Sequence, residues 1–367
     1  MRQHQLKAEQ YPDAEAVVLL DEERRICFAD GANYRDTALA IKILTAEGVE
    51  TFSSMNTGVN PYYGDFDVKA MRTVKPDGRE IEAEQAGGWV AFKSLEPGDI
   101  IELHYGSSTW RMSDLNRDFW DSHIFRWTVP CLASRYVLLV PPTAEFDWRL
   151  KNYDGDVNSV LKMTRMPEFD KYVWEMTDVE AVRDEPLLPP WSDGVPWLDV
   201  SSLKNWQEIN DWYVKLSTAP SRPDPVVAEK VQELIADQHG KDQQIRALYN
   251  FVCNEVTYEN LIFQYSAFVP NSARRVLQSM YGDCKDKVCL LRSMLSEVGV
   301  ESHFVLVTPL DFGKTLYLPS PRFNHTILAI PVDESWSESD GEYWFLDPTA
   351  QWMPVTDLPW SLKGARG

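Results

Sequence analysis

The chain has 367 residues, 44% of them hydrophobic, and a formal net charge of -20 at pH 7. Its length and apolar share suffice for a large core and suggest two domains rather than one. The negative charge excludes a nucleic-acid backbone or an anionic bilayer as the main partner, because both are bound through basic faces.

No apolar run reaches the roughly 18 to 20 residues of a membrane helix, and the opening "MRQHQLKAEQYPD" lacks the apolar core of a signal peptide. The chain therefore reads as soluble and without a membrane span. Its location stays open, and an exported or periplasmic protein that has lost its leader fits equally. Five cysteines, Cys27, Cys131, Cys253, Cys284 and Cys289, are scattered, odd in number and free of any C-x-x-C pair. Neither a disulfide framework nor a standard zinc site is indicated, and no cofactor or metal is implied.

From Ala14 to about Pro142 the segments "AVVLL", "RRICFA", "DVKAMRTV", "GDIIELHYG" and "RYVLLVP" are short, β-branched or alternating, and bounded by turn residues. In "KPDGRE", Pro76 fixes φ and Gly78 accepts a positive φ; Pro97 and Gly98 repeat the device in "LEPGD". Further strands such as "KYVWEM" carry the pattern to about Val200, past the Pro-rich "DEPLLPPW". A sandwich-like all-β domain is expected over residues 1–200.

The character changes near Ser201, where Trp206, Ile209, Tyr213 and Leu216 recur at helical spacing behind the capping candidates Ser201 and Ser202. Three prolines stop that helix in "TAPSRPDP", so residues 201–225 read as a helix and a Pro-rich linker. A second helix starts at about Val226, and a third carries Ile245, Leu248, Tyr249 and Val252 on one face. Later "HFVLVT", "HTILAIP" and "EYWFLDP" read as strands. The expected class is α+β overall, with an α+β domain over residues 226–367.

One stretch joins reactive chemistry to a structural boundary. In "YGDCKDKVCLLRSMLSEVGV", Val288, Leu291, Leu295 and Val298 keep helical spacing, Leu290 and Met294 widen the apolar face, and Gly299 is the C′ stop. Asp283 is the N-cap and Asp286, three residues on, completes a capping-box-like arrangement, so Cys284 is the first helical residue. The partial positive charge of a helix start favours the thiolate there. Cys289, on the apolar face, reads as a buried spectator. Lys285, Asp286 and Lys287 read as solvating and capping the helix end.

Two histidines, His303 and His325, open predicted strands of the same domain. If "HTILAIP" and "EYWFLDP" form a hairpin centred on Trp336, His325 lies directly opposite Asp347, within imidazole-to-carboxylate reach. A slip of two residues is expected to break that contact. Cys284, His325 and Asp347 then stand as thiol nucleophile, general base and orienting acid.

These same residues carry a family likeness. "YGDCKDKVCLLRSMLSEVGVESHFVLV", "FNHTILAI" and "WFLDPT" together resemble the core of the transglutaminase-like superfamily, over about Asp224 to Met353. The resemblance implies a papain-like fold and carries the nucleophile, base and orienting roles to Cys284, His325 and Asp347. It also implies a thioester formed on Cys284 by attack on a carboxamide or peptide carbonyl, with the oxyanion held by the Cys284 N–H and an upstream side chain. Gln264 and Tyr258 are the candidates for that side chain. "DAEAVVLLDE", "VKPDGREI" and "LEPGDIIELHYG" are similar to an uncharacterised β domain that commonly precedes this core in bacterial proteins.

Three functions compete on this reading. The first is a cysteine-dependent hydrolase, a protease or amidase, acting on a peptide or protein substrate. The second is a transglutaminase-type acyl transferase using the same thioester, and the third a non-catalytic binding module. A protein partner on the N-terminal β domain is expected in the third case and compatible with the other two.

Overall fold

A computed structural model describes residues 6, 8–58, 64–109, 115, 118–182, 191–259, 268–310, 317–332 and 342–367. The two turn glycines adopt the backbone their turns require, Gly78 with φ +86° and Gly98 with φ +99°. At the first turn the Lys75 N–H donates to the Arg79 carbonyl at 2.8 Å, closing the hairpin between Gly64–Val74 and Glu80–Glu82.

By contacts the chain divides into two units: Met1–Asn205 with Thr315–Ser320, and Trp206–Lys314 with Pro321–Gly367. The first is built on an eight-stranded sheet. Its strand order is 161–165, 170–179, 131–140, 16–27, 33–43, 100–109, 64–74, 80–82. Neighbours are antiparallel except for Ala16–Cys27 beside Cys131–Val140, which run parallel, Val18 facing Cys131. A three-stranded sheet of Asp147–Lys151, Trp197–Ser201 and Trp120–Ile124 covers part of it, with Leu198 and Val200 packed among Tyr136, Leu138 and Trp174. A smaller sheet brings Val90 against Ile41 and Leu103. Side chains on the facing sides of these sheets supply the apolar packing, so the unit is sheet-rich.

Ser201 and Ser202 do not cap the first helix of the second half. Ser201 ends a strand and donates its hydroxyl to the Pro319 carbonyl at 2.6 Å, while the Ser202 hydroxyl accepts from the Phe119 N–H and donates to Asp118, both at 2.9 Å. With both hydroxyls engaged, the helix starts later, at Trp206.

The second unit holds the helices Trp206–Thr218, Pro225–Ile235, Lys241–Glu255, Ala273–Ser279 and Cys284–Glu297, and an antiparallel sheet ordered 303–307, 325–331, 343–346. The cysteine helix, Cys284–Glu297, is the centre of its core: Val288, Leu290, Leu291, Met294 and Leu295 are fully buried against Val231, Leu248, Val252 and Leu328. Gly299, with φ +70°, ends it, and the Val300 N–H reaches back to the Leu295 carbonyl at 2.9 Å. No helix among the described residues is long and apolar enough to cross a membrane.

Candidate active site

Local chemistry fixes where the cysteine helix begins. Asp283 has an extended backbone and its carboxylate accepts the Asp286 N–H at 3.3 Å, which makes Cys284 the first helical residue. The reciprocal half of the capping box does not form. The Asp286 carboxylate accepts instead from the Asn271 N–H at 2.7 Å and from Asn271 Nδ2 at 3.0 Å, pinning the helix start to the segment before Ala273–Ser279.

The charged residues around the thiol are buried, contrary to a solvated helix end. Lys285 pairs with Asp283, and Lys287, 1% exposed, donates to the carbonyls of Cys253 at 3.1 Å and Val256 at 2.8 Å. Each charge has a partner that offsets its desolvation. Cys284 itself is half-buried, whereas Cys289 is fully buried and burial pushes its thiol up, as expected of an inert core cysteine.

His325 opens the strand His325–Pro331, and its Nε2 lies 3.0 Å from Asp347 Oδ2. The register differs from the expected one. Leu328 faces Leu346 and Pro331 faces Tyr343, a shift of two residues that leaves Asp347 diagonal to His325 rather than opposite it. A shift of two keeps the side-chain face, and a diagonal neighbour about 7 Å away is within reach of a ring and a carboxylate. The contact therefore survives the slip expected to break it. Trp336, the expected centre, lies outside the described residues.

Asp347 is 3% exposed, and its second oxygen, Oδ1, accepts the Thr349 N–H at 2.9 Å and the Thr349 hydroxyl at 2.7 Å. This turn in "DPT" locks the carboxylate plane with Oδ2 toward the ring. Thr349 is a site residue absent from the sequence-based set, although Asp followed two residues later by Thr is a turn signal. The Asp347 carbonyl is held in turn by the Tyr249 hydroxyl at 3.1 Å.

Burial alone would lower His325, but hydrogen bonds to Asp347 and to Cys284, with the charges those groups carry, push it up to about 9. With Nε2 taken by Asp347, Nδ1 is the ring nitrogen left for Cys284. His303 has different surroundings: it is about half exposed, 3.5 Å from Glu301 and edge-on to Tyr343.

Tyr258 lies on the short strand that pairs with the residues just before Cys284. Thr257–Tyr258 pairs in parallel with Tyr281–Gly282, setting Tyr258 next to Gly282, and the Glu259 N–H donates to the Gly282 carbonyl at 3.0 Å. Burial, then the negative charges of Cys284, Asp283 and Asp347, push its phenol up to about 12, so it stays a protonated donor at neutral pH. Gln264, the other oxyanion candidate, lies outside the described residues.

Residues 228–356 match the family model described as "Transglutaminase-like superfamily". That segment belongs to the transglutaminase-like superfamily. Cys284, His325 and Asp347 all fall within the transglutaminase-like match. Residues 88–183 match a second model, "Domain of Unknown Function with solved-structure structure (DUF3857)", which carries no activity with it. The chain matched none of the curated proteins. Among solved structures it is similar to one described as "a putative protease from Parabacteroides distasonis ATCC 8503", at 14% identity and TM-score 0.72, covering 91% of this chain and 70% of that one. At that identity the likeness is one of fold. A "putative cysteine protease from Cytophaga hutchinsonii" aligns at 8% identity and TM-score 0.28, over 63% of this chain and 78% of that one, too weakly to carry an argument.

Proposed function

We propose that the protein is a cysteine-dependent amide hydrolase acting on peptide or protein substrates, with Cys284 as nucleophile, His325 as base and Asp347 orienting it. The observation that carries this reading is the imidazole of His325 held 3.0 Å from the buried Asp347 carboxylate, in the same unit as a half-buried cysteine at a helix start. An imidazolium beside sulfur at a helix N-terminus favours the thiolate, the form that attacks carbonyl carbon. Residues 226–367 form the catalytic domain in this reading, and residues 1–200 are a candidate surface for a protein partner.

The steps follow from the positions. The Cys284 sulfur adds to the carbonyl carbon, and the oxyanion meets the backbone N–H of Cys284 with Tyr258 as the side-chain donor. One such donor is worth about 3 kcal/mol of barrier. His325 passes its proton to the departing nitrogen, the C–N bond breaks and a thioester remains. Water then gives a proton to His325 as it attacks the thioester, releasing the acid and restoring the thiolate. Asp347, with its other oxygen on Thr349, keeps the ring aligned for both transfers.

Profiling a peptide library with the wild type and with Cys284→Ala, with and without a saturating primary amine, tests the proposal. Cleavage that needs Cys284 and ignores the amine supports hydrolysis. Amine-dependent products move the assignment to acyl transfer, and cleavage that persists in Cys284→Ala overturns it.

A further inference from the structure

Lys287 lies one turn along the cysteine helix from Cys284 and is 1% exposed. Burying an ammonium costs several kcal/mol unless it is well paired, and an apolar side chain of the same length would fill the space without that cost. Here the partners are two carbonyls, Cys253 at 3.1 Å and Val256 at 2.8 Å, at the C-terminal end of Lys241–Glu255. A helix C-terminus carries free carbonyls and partial negative charge, so the cation has a specific seat there.

The same helix end grips the loop that carries Asp347. The Tyr249 hydroxyl donates to the Asp347 carbonyl at 3.1 Å, the Cys253 thiol to the Ala350 carbonyl at 3.1 Å, and the Trp352 N–H to Asn254 Oδ1 at 3.0 Å. Trp352 is held with φ +65°, a strained value for a residue with a side chain. From Val256 the chain passes directly into Thr257–Tyr258, the strand that runs beside Gly282. One helix terminus is therefore bonded to the acid loop, leads into the oxyanion candidate and, through the Lys287 ammonium, is bonded to the nucleophile helix.

We infer that Lys287 is a positioning residue, a buried cationic tie that keeps Cys284 in register with the loop of Asp347 and the strand of Tyr258. The inference rests on the proposed role of Cys284. Without the tie the helix core stays packed, because Val288, Leu291 and Leu295 are untouched, but the sulfur drifts relative to the ring that His325 and Asp347 present. A displacement of about 1 Å suffices to weaken such a pairing.

The test is the pH dependence of Cys284 alkylation by iodoacetamide, read by mass spectrometry of the peptide containing Cys284, in the wild type and in Lys287→Met. At pH 10 a thiol is ionised with or without its imidazole, so the two rates should agree within about twofold; at pH 6.5 the variant should be at least about tenfold slower. Equal rates at both pH values in a folded Lys287→Met overturn the inference. A wild type that reacts at pH 6.5 no faster than a free model thiol fails the reading of Cys284 itself, a separate outcome. Should Lys287→Met not fold, Lys287→Gln, which keeps one donor for the carbonyls, decides the matter: at least about threefold slowing at pH 6.5 supports the tie and none refutes it.

Discussion

His325 and Asp347 meet at 3.0 Å across strands whose register would set Thr349, not Asp347, opposite the histidine. The carboxylate reaches the ring on the diagonal, and Thr349 holds its other oxygen at 2.7 and 2.9 Å. Orientation here comes from the turn after the strand as much as from the strand pairing.

Replacing Asp347 by Asn keeps the shape and removes the charge that holds His325 up near 9. Turnover should fall about 100-fold or more, because the amide no longer stabilises the imidazolium. The basic limb of the pH–rate profile, expected near pH 9 in the wild type, should move toward 6.5 in Asp347→Asn. Steady-state rates across a pH range spanning both limbs read both effects.

The same group links stability to pH. His325 is raised in the folded protein from 6.5 to about 9, so its contribution is complete below pH 6.5 and is lost as pH rises through about 9. That contribution is on the order of 3 kcal/mol. Denaturant unfolding at about pH 6.5 and about pH 9.5 should show the loss in the wild type and not in His325→Gln; an equal pH dependence in both would assign it elsewhere.

How much of this is legible in the sequence depends on range. The start of the cysteine helix follows from Asp283 and from the apolar spacing of Val288 to Val298, all local signals, and the structure agrees with it. The pairing of His325 with Asp347 follows from a hairpin whose expected centre is displaced; the contact survives because side chains alternate with period two. Lys287 departs from its expected solvated place, since a lysine beside aspartates has the same local pattern whether it is solvated or seated on a helix end contributed by residues 31 to 34 positions away. The parallel pairing of Ala16–Cys27 with Cys131–Val140 likewise joins segments distant in the chain and leaves no local trace.

Gly282 has a steric task that alanine cannot fill. A Cβ there would lie 2.6 Å from the Asp286 Cβ, and Asp286 cannot swing aside while both its oxygens hold Asn271. Gly282→Ala should destabilise the second unit by about 1 to 3 kcal/mol, measured as a shift in the midpoint of unfolding. Thiol reactivity at neutral pH should fall with it, since the clash acts just before Cys284.

In the first unit Asp121 is 6% exposed and bridges Arg35 at 2.7 Å and Arg25 at 3.3 Å, with the Tyr136 hydroxyl at 3.0 Å. Burial alone would raise its carboxyl; Arg35 and Arg25 outweigh it, and the carboxyl is held below its usual range. Asp121→Ala leaves two guanidinium groups without their shared carboxylate and should cost about 3 to 5 kcal/mol. Calorimetry should show that loss in the transition of the N-terminal unit.

Acylation of Cys284 is the step on which the proposed hydrolysis depends. Acid quenching of wild-type protein during turnover of its best library peptide, followed by mass spectrometry of the Cys284 peptide, tests it most directly. An acyl adduct on Cys284 is expected, one that disappears with hydroxylamine and is missing in Cys284→Ala. Turnover with no adduct on Cys284, continuing undiminished in Cys284→Ala, would contradict it.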